Sequence, residues 1–336
     1  MSVGVNRSPN LDFTRSRQLQ QQAHQWIPGG CHTYAKGDDQ YPLLAPGFIA
    51  RGNGCHVWDV DGNEYIEYGM GNRCVVLGHA FPPVVEAARS AMCQGVNFVR
   101  PSPLEVECAG EFLSMIVGAE MVKFAKNGSD ATTAAVKLAR AHTGRDLVAL
   151  CKDHPFFSTD DWFIGTTPVD AGIPEETKRL TLTFRYNDLA SLQALFDQHP
   201  GRIACVMLEP AKNDEPKDGF LQQVQAACRR AGAVLVFDEM ITGFRWHNAG
   251  AQHVYGVTPD LSCFGKGMAN GFSLSALAGR RELMRLGGLD HEKPRVFLLS
   301  TTHGAETHAL AAGIATMRTF QREPVVETLH RQGDRL

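Results

Sequence analysis

The sequence predicts an α/β protein, with a mostly parallel sheet carrying helices on both faces. Three observations point there. From about residue 75, short apolar runs alternate with longer segments of helical period. The runs are apolar at successive positions, as in strands covered on both sides. Hydrophobic residues make up 43% and charged residues 21%, close to an ordinary globular chain.

The elements follow in order. Residues 11–26 are polar and Gln-rich and predict a helix, which Pro28-Gly29-Gly30 stops. HVWDV, then Asp61-Gly62-Asn63, then EYIEY reads as a hairpin, because alternation flanks an Asp-Gly turn. The strand candidates are MVKFA (121–125), DLVALC (146–151), IACVML (203–208), AVLVF (233–237), LSCF (261–264) and LSALAG (274–279). Helices are expected over 131–142 and 221–232. In the first, Ala131, Ala134, Ala135, Leu138 and Ala139 form an apolar stripe, with Lys137 and Arg140 off it. In the second, Gly232 is the stop. A further helix is expected over 306–320, and then a charged helical stretch. The division expected is an N-terminal helix and hairpin segment (1–74), a large α/β domain (75–300) and the start of a small C-terminal domain (301–336).

Composition excludes several functions. With 33 Lys and Arg against 36 Asp and Glu, the net charge of −3 favours neither nucleic acid nor an acidic membrane as partner. No stretch approaches the ~18 apolar residues of a membrane span. The first residues, MSVGVNRSPN, lack the apolar core of a secretory signal. The nine cysteines form no C-x-x-C pair, so reduced thiols in a cytoplasmic protein are expected. The thirteen histidines have no zinc spacing, so no metal is expected. Walker, G-x-G-x-x-G and G-x-S-x-G motifs are absent from the sequence.

Chemistry is expected where parallel strands end. AVLVF leads into Asp238-Glu239, IACVML into Glu209-Pro210, and LSCF into Gly265-Lys266-Gly267. A carboxylate at a buried strand end is placed to pair with a ligand cation, and a lysine between glycines has an uncrowded side chain. The plainer readings are a helix cap at Asp238 and a solvated turn lysine. After MVKFA, Lys126-Asn127-Gly128-Ser129-Asp130 opens a helix. That is either an anion site or an N-cap by Ser129 or Asp130.

A lysine, a strand-end aspartate and an anion cup together match the needs of pyridoxal phosphate. Here the chain resembles the class III (fold type I) pyridoxal-phosphate-dependent aminotransferases, and within them the glutamate-1-semialdehyde 2,1-aminomutase-like branch. The motifs are PGG (28–30), LGHAFPPV (77–84), NGSDA (127–131), RYNDL (185–189), LEP (208–210), FDEMITGFR (237–245), GVTPDLSCFGKG (256–267) and STTHGAETHALAAG (300–313). The resemblance implies that Lys266 forms the Schiff base with the cofactor and shuttles the proton. It implies that Asp238 pairs with the pyridine nitrogen. It puts Gly128 and Ser129 at the phosphate, and Phe156 and Met240 on the two faces of the ring, where ordinary core packing is the alternative. Thr302 would reach the phosphate of a neighbouring subunit in a homodimer, helix capping being the alternative. Glu209 would lie near the substrate.

Departures from the family pattern concern the substrate. Lys36 stands where aminomutases proper carry an arginine for the substrate carboxylate, and lysine lacks the two-pronged fit. Ser158 stands where a glycine is usual, and serine is less at ease with a positive φ. Ile241 replaces a frequent glutamine. The resemblance implies a transaminase acting between an amino donor and a carbonyl acceptor. The aminomutase, which moves the amino group within one molecule, and a non-catalytic cofactor-binding remnant are the alternatives.

Overall fold

A computed structural model describes residues 11–336, and the expectation for the start of the chain lies partly outside them. It divides into two compact units, up to Phe81 and from Pro82.

In the first unit the polar segment is a helix, Thr14–Trp26. Its opening N–H groups need acceptors from elsewhere. Asp61, in the hairpin turn, accepts from the N–H of Arg15 at 2.6 Å and of Ser16 at 2.9 Å. Gly29 and Gly30 then turn the chain, with φ of 72° and 71°. The expected hairpin pairs β2 (His56–Asp59) with β3 (Glu64–Ile66), antiparallel. A strand that the sequence does not announce, β1 (Ile49–Asn53), completes the sheet beside β2. Its IARGN is short and mostly exposed, so it carries no alternating signal.

The second unit is built on seven strands: β4 (Met121–Ala125), β5 (Leu147–Cys151), β6 (Thr181–Phe184), β7 (Ile203–Leu208), β8 (Val234–Asp238), β9 (Leu261–Phe264) and β10 (Ser275–Gly279). Their order is β4-β10-β9-β8-β7-β5-β6. Only β10 runs against its neighbours, so the sheet is mostly parallel as predicted. The strand that the sequence conceals is β6. It is an edge strand, and its TLTF exposes Thr183.

Alternate residues feed two cores. Val148, Leu150, Cys205, Met207 and Val236 face the helix Gly128–Thr143, through its predicted stripe Ala131, Ala134, Ala135, Leu138 and Ala139. Ala149, Val206, Leu208, Leu235 and Phe237 face the helix Phe220–Ala231. Gly232 ends that helix at φ 63°. The last helices are Thr307–Arg322 and Val325–Gly333.

Phe264, at the end of β9, is fully buried. Its ring meets Phe112 edge-on at 5.3 Å and Phe244 at 6.2 Å. Phe264→Ala is therefore expected to cost roughly 3–5 kcal/mol, read as a lowered denaturant midpoint. A loss below about 1 kcal/mol contradicts the tight packing described.

Candidate active site

The strand ends gather the expected residues at one edge. In β7 and β8, Leu208 pairs with Phe237, so Glu209 and Asp238 stand side by side. Because residues alternate along a strand, both point away from Leu208 and Phe237, toward the face covered by the helix Gly128–Thr143. Asp238 is buried, and its Oδ1 accepts from the Met240 N–H at 2.9 Å. Burial, reinforced by the Glu209 charge, pushes its carboxyl up to about 7, while the Lys266 ammonium and the Met240 N–H act in the other direction.

Asp238 is not a helix cap. The next helix, Ala251–Val254, has Gly250 as its cap residue, and its first N–H groups are met by Glu239 instead. Glu239 accepts from the N–H of Ala251 at 2.9 Å and of Gln252 at 2.7 Å, and from the Thr242 hydroxyl. Burial raises this carboxyl to about 7 as well, against those three donors. Two adjacent carboxylates thus have different surroundings. Glu239 is saturated and pins the loop behind it. Asp238 has one hydrogen-bond donor among the described residues.

Lys266 opens a short turn, Lys266–Ala269, and itself takes φ 42°. A lysine rarely adopts that region, and such strain concentrates at functional sites. Its ammonium lowers the Asp238 carboxyl, so this is not a lysine lost to solvent. Gly265 leaves room for a close approach: a Cβ there would lie 2.7 Å from Met240 Sδ and push it aside. A Cβ at Gly128 would lie 2.9 Å from the same sulfur. Met240 is thus a buried wedge between the end of β9 and the opening of the helix.

That helix starts at Gly128, three residues before the periodic pattern does, with Asn127 as its cap residue rather than Ser129 or Asp130. Asp130 turns back and accepts from the N–H of Asn127 at 2.8 Å and of Lys126 at 3.2 Å. The N–H groups of Gly128 and Ser129 have no acceptor among the described residues, so the helix end stays open to an anion. The Ser129 hydroxyl accepts from the Thr159 N–H at 3.0 Å. Serines from the start of β10 hold the preceding carbonyls, Ser275 on Asn127 at 2.7 Å and Ser273 on Lys126 at 3.0 Å. Lys126 pairs with Glu306 at 2.6 Å.

Beyond β5, Phe156 is 51% exposed and touches Phe163 edge-on. It is therefore not ordinary core, a role that falls to the neighbouring Phe157. Ser158 needs no positive φ. Its buried hydroxyl accepts from the Asp160 N–H at 3.1 Å and lies 3.0 Å from the Thr133 hydroxyl, so the glycine usual there is not demanded by the backbone. Thr302 is exposed in the loop before the helix Thr307–Arg322, five residues short of it, and does not cap it. Its carbonyl accepts from Asn97. Lys36 belongs to the first unit, exposed at the end of the turn Tyr34–Lys36.

Sequence reasoning missed His154. It is buried beside Tyr186, and its Nδ1 accepts from the Glu209 N–H at 3.0 Å. Burial and the nearby Lys212 push its pKa down to about 4, so it is neutral, with its proton on Nε2. The signal was its place shortly after a buried strand.

Comparison with known proteins gives the family. The family described as aminotransferase class-III matches residues 34–336. The glutamate-1-semialdehyde 2,1-aminomutase of Desulforamulus reducens is 35% identical, over 96% of this chain and 77% of its own. A structure of the PLP internal aldimine form of the FumI protein of Sphingopyxis sp. MTA144 superposes with a TM-score of 0.88 at 31% identity, covering 96% of this chain and 76% of that one. An omega-transaminase of Sphaerobacter thermophilus superposes with a TM-score of 0.82 at 27% identity, covering 91% and 72%. The chain belongs to the class III aminotransferases. It is an enzyme of that aminotransferase and aminomutase family, and its cofactor is pyridoxal phosphate. The residues present fit that group. A buried carboxylate with one donor suits a ring cation, and an open helix end suits a phosphate.

Asp238 and Glu239 also set a pH dependence in the cofactor-free protein. Both carboxyls are raised from ordinary values of 3.8 and 4.5 to about 7. The folded chain then binds more protons than the unfolded chain between those values. Their contribution to stability is complete below about pH 4 and is lost as pH rises through about 7. Asp238→Asn should remove roughly 2–4 kcal/mol of the fall in stability between about pH 5 and about pH 8. Denaturant melts at both pH values measure it, and an equal fall in variant and parent contradicts the assignment.

Proposed function

We propose that this enzyme is a transaminase, passing an amino group from a donor to the carbonyl of an acceptor. The observation that carries the reading is Asp238 and Lys266 at adjacent strand ends, with an unsatisfied helix N-terminus at the same edge. Pyridoxal phosphate, when bound, supplies an aldehyde that takes up amines and a ring that accepts electrons from the adjoining carbon.

The chain supplies the rest. Lys266 anchors the cofactor covalently through its amine, and that amine takes and returns the proton of the substrate carbon. Its strained backbone fixes where the side chain starts. Asp238 meets the ring nitrogen. A cation there favours the ionised carboxylate, against the burial that raises it. Gly128 and Ser129 offer backbone N–H groups to the phosphate, with the helix dipole behind them. Met240 closes one face of the ring, and Phe156 offers an exposed aromatic face to the other. Glu209 borders the substrate. Lys36 offers a single charge to a substrate carboxylate, on the resemblance alone. The nine cysteines are all free, which accords with the reducing cytoplasm. No helix among the described residues is long and apolar enough to cross a membrane.

Lys266→Ala is expected to abolish the cofactor's lysine-linked absorbance and to lower turnover by several orders of magnitude. Near-normal turnover in that variant contradicts the assignment. The aminomutase reading has support of its own, in the names of relatives that are 34–35% identical. An isotope-labelled amino donor separates the two. A labelled donor that turns over only with a separate carbonyl acceptor present, and passes its label to that acceptor, supports transfer, and isomerisation of a single amino compound with no acceptor present supports the mutase.

We further propose a homodimer in which Thr302 serves the partner's phosphate. Phe98, Val99 and Phe297 are 52%, 100% and 70% exposed. The segment carrying the first two is tied to the Thr302 loop, through Asn97 on the Thr302 carbonyl at 2.9 Å and Thr307 on the Gly95 carbonyl at 2.7 Å. An exposed apolar patch beside that threonine accords with a covered face. Thr302→Ala should weaken cofactor retention by roughly 1.5–3 kcal/mol. Sedimentation with and without pyridoxal phosphate should show the cofactor favouring the dimer. A monomer that holds the cofactor as tightly in the variant contradicts this.

A further inference from the structure

We propose that Lys212 is a positioning residue, whose ion pair with Glu209 compensates the second buried carboxylate at the strand ends and leaves Asp238 free to act alone. The proposal rests on the transaminase reading for its meaning, but not for its test.

The geometry is specific. Glu209 and Asp238 occupy equivalent positions just past or at the ends of neighbouring strands, and strands in a sheet lie only ~5 Å apart. Both are almost fully buried. Two carboxylates so placed cannot both ionise cheaply without a cation each. Asp238 feels the ammonium of Lys266. Glu209 has Lys212, whose Nζ lies 3.1 Å from its Oε1. The Lys212 side chain is 24% exposed, so a long stem reaches inward from the surface. The turn that aims it is fixed, because the Tyr186 hydroxyl donates to the Pro210 carbonyl at 2.7 Å.

Five other titratable groups of the described residues lie around the pair, and none of the five does what Lys212 does. His154, after β5, turns Nδ1 to the Glu209 N–H and stays neutral. Cys151 on β5 and Cys263 on β9 carry thiols raised by burial, so neither is charged near neutrality. Glu239, beside Asp238, is spent on its own loop. Lys266 is the group the reaction engages, so its charge changes during turnover. Lys212 takes no part in that and lies against Glu209.

Without Lys212, the Glu209 and Asp238 pair would lose one of its compensating cations, and the pair would hold a proton to higher pH. Infrared spectroscopy of the full chain, cofactor-free and carrying carboxyl-labelled Asp and Glu, reads that proton directly as the protonated-carboxyl band. Lys212→Gln should move the band's pH midpoint upward by about one unit, a tenfold change in proton affinity. Lys212→Arg should restore it. In a Glu209→Gln background, Lys212→Gln should move nothing. Glu209→Gln alone should lower the midpoint, an arm that stands even if Lys212→Gln proves insoluble. An unmoved midpoint in Lys212→Gln, or a shift that persists in the Glu209→Gln background, overturns the proposal. Failure of the transaminase reading would show in labelled-donor transfer and would leave this titration as it is.

Discussion

The site depends on keeping negative charge where water cannot reach it. Asp238 ends a strand that is buried on both faces, and among the described residues one N–H donates to its carboxylate. Burial alone would hand it a proton at neutral pH. Its neighbours therefore divide between those that make this worse and those that relieve it. Glu209, one strand over, raises the cost, and Lys266 lowers it. A ligand cation would lower it further. A positive charge beside Asp238 thus offsets part of the cost of its burial.

The fold makes that tension possible. In a parallel sheet covered on both sides, successive strands end at one edge, and register fixes which ends are neighbours. The pairing of Leu208 with Phe237 makes Glu209 and Asp238 adjacent. The reversed strand β10 brings Ser273 and Ser275 to the same edge from the opposite direction, where their hydroxyls hold the carbonyls that precede the helix. Asp130 draws off the two N–H groups before Gly128 and leaves the next two open. Each detail is local, yet together they put two open N–H groups and a buried carboxyl at one edge.

The central strands were legible because their runs are apolar at every position, and the helix at 131–142 because its alanines recur at helical spacing. The edge strand β6 and the short β1 were not, since half-exposed strands carry polar residues that break the pattern. Lys266, Asp238 and Ser129 could be picked out because punctuation surrounds them: glycines, a strand end, a helix start. His154 and Lys212 could not. Their importance comes from what other segments bring to them, and no spacing along the chain encodes that. The Ser158 departure looked costly only while a positive φ was expected of its position. Its actual backbone is unstrained, and its hydroxyl is engaged.

Met240 has one more implication. Its sulfur occupies the space that a side chain would need at Gly128 and at Gly265. The three positions therefore form one steric lock, although more than a hundred residues separate the two glycines. Enlarging either glycine asks the methionine sulfur to move aside, and shrinking the methionine alone opens a void between strand and helix. A flexible thioether is thereby the joint between strand and helix: a Cβ at either glycine would be felt at the other through the displaced sulfur.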